Sequence, residues 1–349
     1  MTLRPKFPHY AVTRPDGLSF TSIQRTVLHE AQQHNLSVTE QTDKAFAVET
    51  HYGQYRFEQE GERIAVAVAS SRRDWLFLLK DQFVKRLEEL QPDTANALRW
   101  SDSSAAGEPP LNLHFADLQS VSAIGTSFLR LRVRLADLST FTDDSIHFRL
   151  LLPPEGIDPV EWPVLAENGT TVWPQGKNAL HRPVYTVRWL DKAAGLLDFD
   201  VFLHDGGRIT NWAQNVQPGA TVALIGPVGG GIPSTQRLLA FGDETALPAI
   251  ARILEMLPDS TIGHVTIATR DGAFCAYPLT TPTGVSVSWI ETPPSGALAE
   301  LAKAAQDELP NHFLWFAAEK SEVLRVREDY KSRGKDNANA YISAFWSKP

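Results

Sequence analysis

The sequence predicts a multidomain chain of α/β plus β class: a small α+β domain over 1–105, an antiparallel β-barrel over 111–232 and a doubly wound α/β domain over 236–349. Three observations carry that prediction. Residues 44–70 alternate apolar and polar side chains as strands do, and 74–90 carry a helical stripe. From 111 to about 230, short apolar runs are punctuated by turn residues. From 236 onward, strand and helix patterns take turns, as in doubly wound sheets. At 349 residues the chain is also long for a single hydrophobic core.

The elements follow in order. SIQRTVLHEAQQHN (22–35) has helical spacing, with Asn35 as a stop. KAFAVETHYGQYRFEQEGERIAVAVAS (44–70) reads as two or three strands turning at Tyr52-Gly53 and Glu60-Gly61. DWLFLLKDQFVKRLEEL (74–90) sets Trp75, Leu78, Leu79, Phe83 and Leu87 on one stripe, with Asp74 near its start. SDSSAAGEPP (101–110) has the composition of a linker. FLRLRVRL, SIHFRLLLP, HRPVYTVRW, LLDFDVFLH and ATVALIGP then suit an antiparallel barrel or sandwich, and WPVLAENGTTVWPQGKN (162–178) reads as a long polar loop. RLLAFGD, ETALPAIARILEML, HVTIATR, VSVSWIE, ALAELAKAAQDEL, HFLWFAAE, SEVLRVREDYKSR and AYISAFW complete the α/β alternation.

Composition narrows the function. The chain is 43% hydrophobic with a net charge of −8, whereas a nucleic-acid surface is basic. No stretch approaches the ~20 apolar residues of a membrane span. The start, MTLRPKFPHY, lacks the apolar core of a signal peptide, so a cytoplasmic chain is expected. One cysteine, Cys275, permits neither an internal disulfide nor a four-thiolate iron–sulfur cluster; in DGAFCAYPL it reads as a buried, inert thiol. The ten histidines are scattered without H-x-x-x-H or H-E-x-x-H spacing, so no dedicated metal site is expected. Redox chemistry on this chain needs a bound organic cofactor or iron held in some other way.

Three stretches carry chemistry. In HRPVYTVRW (181–189), strict alternation puts Arg182, Val184, Thr186 and Arg188 on one face and Pro183, Tyr185 and Val187 on the other. Two guanidiniums on one face suit a flat anionic ligand better than a plain core. In LHDGGRITNWAQNV, Gly206 and Gly207 break a strand and Thr210 can cap a short helix through Trp212; its N-terminus, with Arg208, would receive phosphate. A plain interstrand loop accounts for the stretch equally well. In LLAFGDETALPAIARIL, Gly242 turns the chain into a helix start that attracts phosphate; the other reading is an ordinary turn with Thr245 as N-cap, and Pro248 fits the first turn under both. Arg270, after HVTIAT, favours a ribose 2′-phosphate and so leans towards NADPH, unless it is a solvated strand-end arginine.

HRPVYTVR, DFDVFLH, GRITNWA, GPVGG, GDETALPAI, WFAAE and AYISAFW occur in the order seen in siderophore-interacting proteins, which this chain resembles over about 110–349. These are flavin-dependent ferric-siderophore reductases related in fold to ferredoxin–NADP reductases. Residues 11–100 resemble a small domain of unknown function that accompanies iron-uptake proteins in some bacteria. The resemblance implies that the barrel binds FAD and the α/β domain NADPH or NADH. It implies that Arg182 meets the FAD pyrophosphate, Tyr185 packs on the isoalloxazine and Thr186 hydrogen-bonds near its N5, making Tyr185 and Thr186 the catalytic candidates. His204 would line the ring's polar edge. Gly207, Arg208 and Thr210, on the helix of Trp212, would hold the pyrophosphate. Gly242, Asp243, Thr245 and Ala246, with Arg270, would face the nicotinamide nucleotide.

The chain departs from the family at three places. Gly207-Arg208-Ile209-Thr210 replaces a usual Gly-Pro-Ala-Ser, Ala318 replaces a Gly, and the end reads Phe345-Trp346-Ser347-Lys348 in place of Tyr-Trp-Arg. A ferric siderophore is the implied substrate, with Arg149, Arg188 and Lys348 as candidate contacts; a protein electron donor is a further possible partner. The implied reaction passes electrons from NAD(P)H through FAD to chelated Fe(III), releasing Fe(II). Other readings are a general NAD(P)H–flavin diaphorase, an electron transferase serving a protein partner, and a non-catalytic siderophore-binding carrier.

Overall fold

The structure, a computed structural model, describes residues 7–33, 36–102 and 106–348. The expected helix stop at Asn35 lies outside the described residues. The chain divides into two compact units, Met1–Leu113 with Pro153–Leu180, and His114–Leu152 with His181–Pro349.

The first unit opens with β1 (His9–Thr13), α1 (Phe20–Gln33), β2 (Ser37–Gln41), β3 (Ala45–Thr50), β4 (Gly53–Glu60), β5 (Arg63–Ser70), α2 (Arg73–Leu90) and α3 (Pro92–Ala97). Its five strands form an antiparallel sheet ordered β1-β5-β4-β3-β2. The β3–β4 turn depends on Gly53. At φ +148°, a Cβ there would stand 2.2 Å from the Ala69 carbonyl oxygen, closer than any side chain tolerates.

The second unit begins with β6 (Leu113–Ile124), β7 (Phe128–Leu135) and β8 (Ser145–Leu151). The chain then supplies the first unit with residues 153–180, which include the paired β9 (Val164–Leu165) and β10 (Thr171–Val172). This stretch, expected as a loop of the barrel, is packed onto α2 and α3. Thr171 N–H donates to the Asp81 carboxylate (2.9 Å), the Trp100 indole to Asn168 O (3.1 Å) and the Asn168 amide to Ala95 O (3.1 Å). Cover on two sides explains why α2 buries Leu76, Phe77 and Val84 as well as Leu79 and Leu87, while Trp75, Leu78 and Phe83 stay half-buried.

Back in the second unit come β11 (Val184–Thr186), β12 (Trp189–Asp191), β13 (Leu196–Phe202), α4 (Arg208–Asn215) and β14 (Thr221–Gly231). The seven-stranded sheet is ordered β11-β8-β14-β6-β7-β13-β12, and its pairs β11–β8, β8–β14, β6–β7 and β7–β13 run antiparallel. The outer strands β11 and β12 are separated in sequence only by Val187 and Arg188, so the sheet curls into a barrel. Val187 N–H bonds to Ile146 O (2.7 Å) and Arg188 N–H to Asp198 O (2.8 Å) at the closure. Leu131, Val133, Phe148, Phe199 and Leu224, all inaccessible to solvent, fill it.

The last segment adds β15 (Arg237–Asp243), α5 (Leu247–Met256), β16 (Ile262–Thr269), β17 (Gly284–Glu291), α6 (Ala297–Glu308), β18 (Phe313–Glu319), α7 (Lys320–Ser332) and β19 (Ala340–Trp346). The parallel sheet runs β17-β16-β15-β18-β19, so the strand order reverses beside β15 and opens a crevice at its carboxyl end. Leu238 to Phe241 are all buried, the unbroken apolar run expected of a strand covered on both faces.

Barrel and parallel sheet are joined by buried polar groups. Arg188, only 6% exposed, donates to both oxygens of Glu255 on α5 (2.7 and 2.7 Å) and to the Tyr277 hydroxyl (3.2 Å). Tyr277 in turn hydrogen-bonds Asp200, which Arg130 holds through two bonds of 2.8 Å. Among the described residues, no helix is long and apolar enough to cross a membrane.

Candidate functional site

A cleft of about 670 Å³ opens in the second unit between one end of the barrel and the carboxyl ends of β15 and β19. Its barrel wall comes from β8 and β11. Tyr185 sits with its ring 5.7 Å from Phe199 of the barrel interior, and Thr186 is buried; both reach the cleft. Burial pushes the Tyr185 phenol well above its ordinary pKa, so it stays protonated. Strict alternation had separated these two side chains, but β11 is only Val184–Thr186 and all three of its residues border the opening.

The alternation fails beyond Thr186, because the chain crosses there to close the barrel. Arg188 is therefore no substrate contact: its guanidinium lies inside the Glu255–Tyr277 network, and it does not line the cleft. Arg182 is exposed on the rim. Arg149, on the neighbouring strand, donates to Arg182 O (3.0 Å). Burial and the charge of Arg182 lower the Arg149 pKa, and burial and Arg208 lower that of His181. Arg149, Arg182 and Arg208 thus bring like charge to one corner of the cleft, which an anion would relieve.

α4 begins at this corner. Gly207, not Thr210, is its N-cap, and the helix runs to Asn215. The Thr210 hydroxyl turns back instead, accepting from His204 N–H (3.2 Å). A Cβ on Gly207 would stand 2.7 Å from the His204 ring and 2.9 Å from Thr210 Oγ1, so a side chain there would push those two groups aside. Gly207, Arg208, Ile209 and Thr210 line the cleft, and the first-turn N–H groups of a helix have no partner within it. His204 lines it too, stacked 6.2 Å from Phe202. Trp212 does not; it packs against the barrel core.

At the β15 end the expectations also need adjusting. Gly242 permits close approach of α5, since a Cβ would meet Ala246 Cβ at 2.7 Å and Ile250 Cδ1 at 2.8 Å. The helix starts at Leu247 with Ala246 as N-cap. Thr245 is no cap; its N–H (2.9 Å) and hydroxyl (2.6 Å) donate to Asp243 Oδ1. Thr245 reaches the cleft wall together with Glu244 and Pro248, whereas Gly242, Asp243 and Ala246 support it from behind. Burial raises the Asp243 pKa against the pull of the bonds from Thr245 and Trp346. Arg270 donates to Leu203 O, lies 4.8 Å over the Phe202 ring and lines a neighbouring cleft with Cys275. Cys275 is half-buried, not buried, and burial is the first cause of its raised thiol pKa.

The last strand contributes Tyr341, Ser343, Phe345 and Trp346 to the wall. Lys348 stands away from the cleft lining, with its backbone N–H 3.4 Å from Glu319. The aromatic pair before it occupies the wall instead. His147 is a further residue that motif reading missed. It is 4% exposed, faces Phe345 edge-on at 5.3 Å, and burial pushes its pKa down to about 4 despite a bond to the Tyr185 backbone. Its signal was available: it lies two positions before Arg149 on β8, on the same strand face.

These residues fit a flavin dinucleotide. Tyr185, Phe345 and Trp346 offer an aromatic surface for a flat ring, Thr186 a hydroxyl beside it, and Arg182, Arg208 and the start of α4 suit a pyrophosphate. A closed antiparallel barrel followed by a five-stranded parallel sheet, with the cleft between them, suits a flavin- and nicotinamide-nucleotide-dependent oxidoreductase.

Residues 117–231 match the siderophore-interacting FAD-binding domain, and residues 235–349 match the siderophore-interacting protein domain. Over 117–349 the chain belongs to the siderophore-interacting protein family. It is 28% identical over 244 residues to the NADPH-dependent ferric-chelate reductase of Escherichia coli (strain K12), covering 67% of this chain and 94% of that one. It is 29% identical over 196 residues to the ferric vibriobactin reductase ViuB of Vibrio cholerae serotype O1, covering 54% and 69%. The solved structure of the siderophore-interacting protein SipS from Aeromonas hydrophila shares the fold, with a TM-score of 0.57 at 23% identity over 68% of this chain and 92% of that one.

Proposed function

We propose that this chain is an FAD-dependent ferric-siderophore reductase that draws electrons from NADPH or NADH and releases iron as Fe(II). The observation that carries the proposal is the joining, in one cleft, of the Tyr185–Thr186 wall with the cationic corner of Arg149, Arg182 and Arg208.

When bound, FAD supplies a centre that accepts a hydride and gives up electrons singly. The chain's part is to bind and orient. Arg182, Arg208 and the α4 N–H groups hold the pyrophosphate, with Gly207 keeping the turn tight. Tyr185 and the C-terminal aromatics would pack against the ring, and Thr186 would offer it a hydroxyl. His204 closes the polar side. Thr245, at the mouth of the crevice between β15 and β18, takes the nicotinamide nucleotide, with Gly242, Asp243 and Ala246 shaping the turn beneath it. His147 is neutral near pH 7, since burial holds its pKa near 4, and so adds no charge to the wall.

The substrate is an anionic ferric chelate attracted by Arg149 on a protein otherwise acidic at −8. One nicotinamide nucleotide oxidised reduces two ferric ions and frees a proton. Fe(II) is then a poorer match for the hard oxygen ligands, and the chelate lets it go. Need for reduced nucleotides places the reaction in the cytoplasm. The test is turnover of the purified chain on a ferric siderophore against simple acceptors, with a ferrous trap. A marked preference for the siderophore supports the proposal, and equal rates on a quinone or dye would make the chain a general diaphorase.

A further inference from the structure

The first unit holds a second cavity that owes nothing to the flavin site. α1 and α2 lie side by side on one face of the sheet, linked by the Arg86–Glu30 ion pair, yet leave a gap between their apolar faces. Ile23 and Val27 of α1, Phe83 of α2, and a floor of Val48, Tyr55 and Phe57 enclose a wedge of about 640 Å³. Interiors leave few voids larger than a water molecule, and a domain this small has little core to spare. Ile23 and Val27 nevertheless stay half-exposed on the side that lines the wedge. A space of this size, lined mostly by apolar groups, has the character of a small-molecule site.

The lining selects the ligand. The polar groups on the floor are already engaged: the Tyr55 hydroxyl donates to Leu79 O (2.8 Å) and the Thr50 hydroxyl to Gly53 O (3.2 Å). Hydroxyl or chelating groups placed deep would lose their hydrogen bonds, whereas a saturated chain would lose nothing. At the mouth, Arg86 is already paired with Glu30 and Glu89, so it gives a carboxylate no gain. Gln82 and Gln91, also at the mouth, offer amide groups to an uncharged head.

We propose that this cavity binds an acyl chain carried on a neutral amide or ester. The inference is independent of the flavin reading and is tested without it. The full-length chain is titrated with the neutral dye Nile red, then competed with decanamide, decanoate and catechol. A saturable rise in emission, reversed by decanamide and resisted by the other two, is expected. Val27→Trp fills the wedge and Ser22→Trp closes its exposed mouth; each should weaken dye binding at least about tenfold, the equivalent of roughly two buried methylenes, with the thermal transition retained. Ser22→Trp touches no buried group, so the test survives should Val27→Trp fail to fold. Emission that does not saturate, or that both tryptophan variants leave unchanged, would overturn the proposal. Displacement by decanoate as strong as by decanamide would overturn the neutral head, and displacement by catechol would overturn the acyl chain.

Discussion

The Trp346 indole donates to Asp243 Oδ2 across 2.7 Å, tying the end of β19 to the end of β15 beside the cleft. Asp243 is buried and Trp346 is 40% exposed, so the bond fixes a surface aromatic by way of an interior carboxylate. Trp346→Phe keeps a ring and removes the donor. Loss of one hydrogen bond to a charged group should lower unfolding stability by about 1–3 kcal/mol in urea titration. Flavin content should hold, because the phenylalanine keeps an aromatic face on the wall and Arg182, Arg208 and α4 remain.

Arg188→Met separates a structural role from a substrate role. Breaking one side of a buried ion pair costs about 3–5 kcal/mol, and the half-exposed Glu255 sets the loss near the lower end. Denaturant midpoints should therefore fall while the KM for the ferric chelate stays put. A raised KM at unchanged stability would return Arg188 to the substrate site.

Arg149→Ala should do the reverse. Its guanidinium belongs to the exposed cationic corner, so the KM for an anionic ferric chelate should rise several-fold with flavin content unchanged. The wild-type KM should also climb with ionic strength, as screening of an exposed charge requires, and the variant's less so.

His147 predicts a pH dependence. Its folded pKa of about 4 lies below the ordinary 6.5, so the unfolded chain binds more protons between those values. Its contribution is fully present above about 6.5 and is lost as pH falls towards 4, by up to roughly 3 kcal/mol. Urea midpoints from pH 4 to 7 should show this slope in the wild type and a shallower one in His147→Gln.

Much of this was legible in the residues. The strand–helix alternation from 236 onward read as a doubly wound sheet, and HRPVYTVRW was singled out by its paired guanidiniums. The misreadings share a physical origin, since alternation and capping rules describe single elements. Arg188 was placed wrongly because barrel closure interrupts β11 after Thr186. Thr210 and Thr245 each look like an N-cap, but the first bonds back to the strand end at His204 and the second is held by Asp243. Residues 162–178 lack periodicity, so nothing in them foretold their packing on α2. His147, Phe345 and Trp346 come together only when β8 and β19 are brought to one cleft, a juxtaposition no local spacing encodes.

The central claim, that this cleft passes electrons from a nicotinamide nucleotide to chelated iron, is tested most directly by anaerobic visible absorbance of the purified protein. NADPH or NADH is added first, then a ferric siderophore with a ferrous trap. The account predicts a yellow protein that bleaches with nucleotide and regains its colour as the ferrous complex appears. A protein that is colourless and takes up no added FAD, or one that is yellow yet unbleached by either nucleotide, would contradict it.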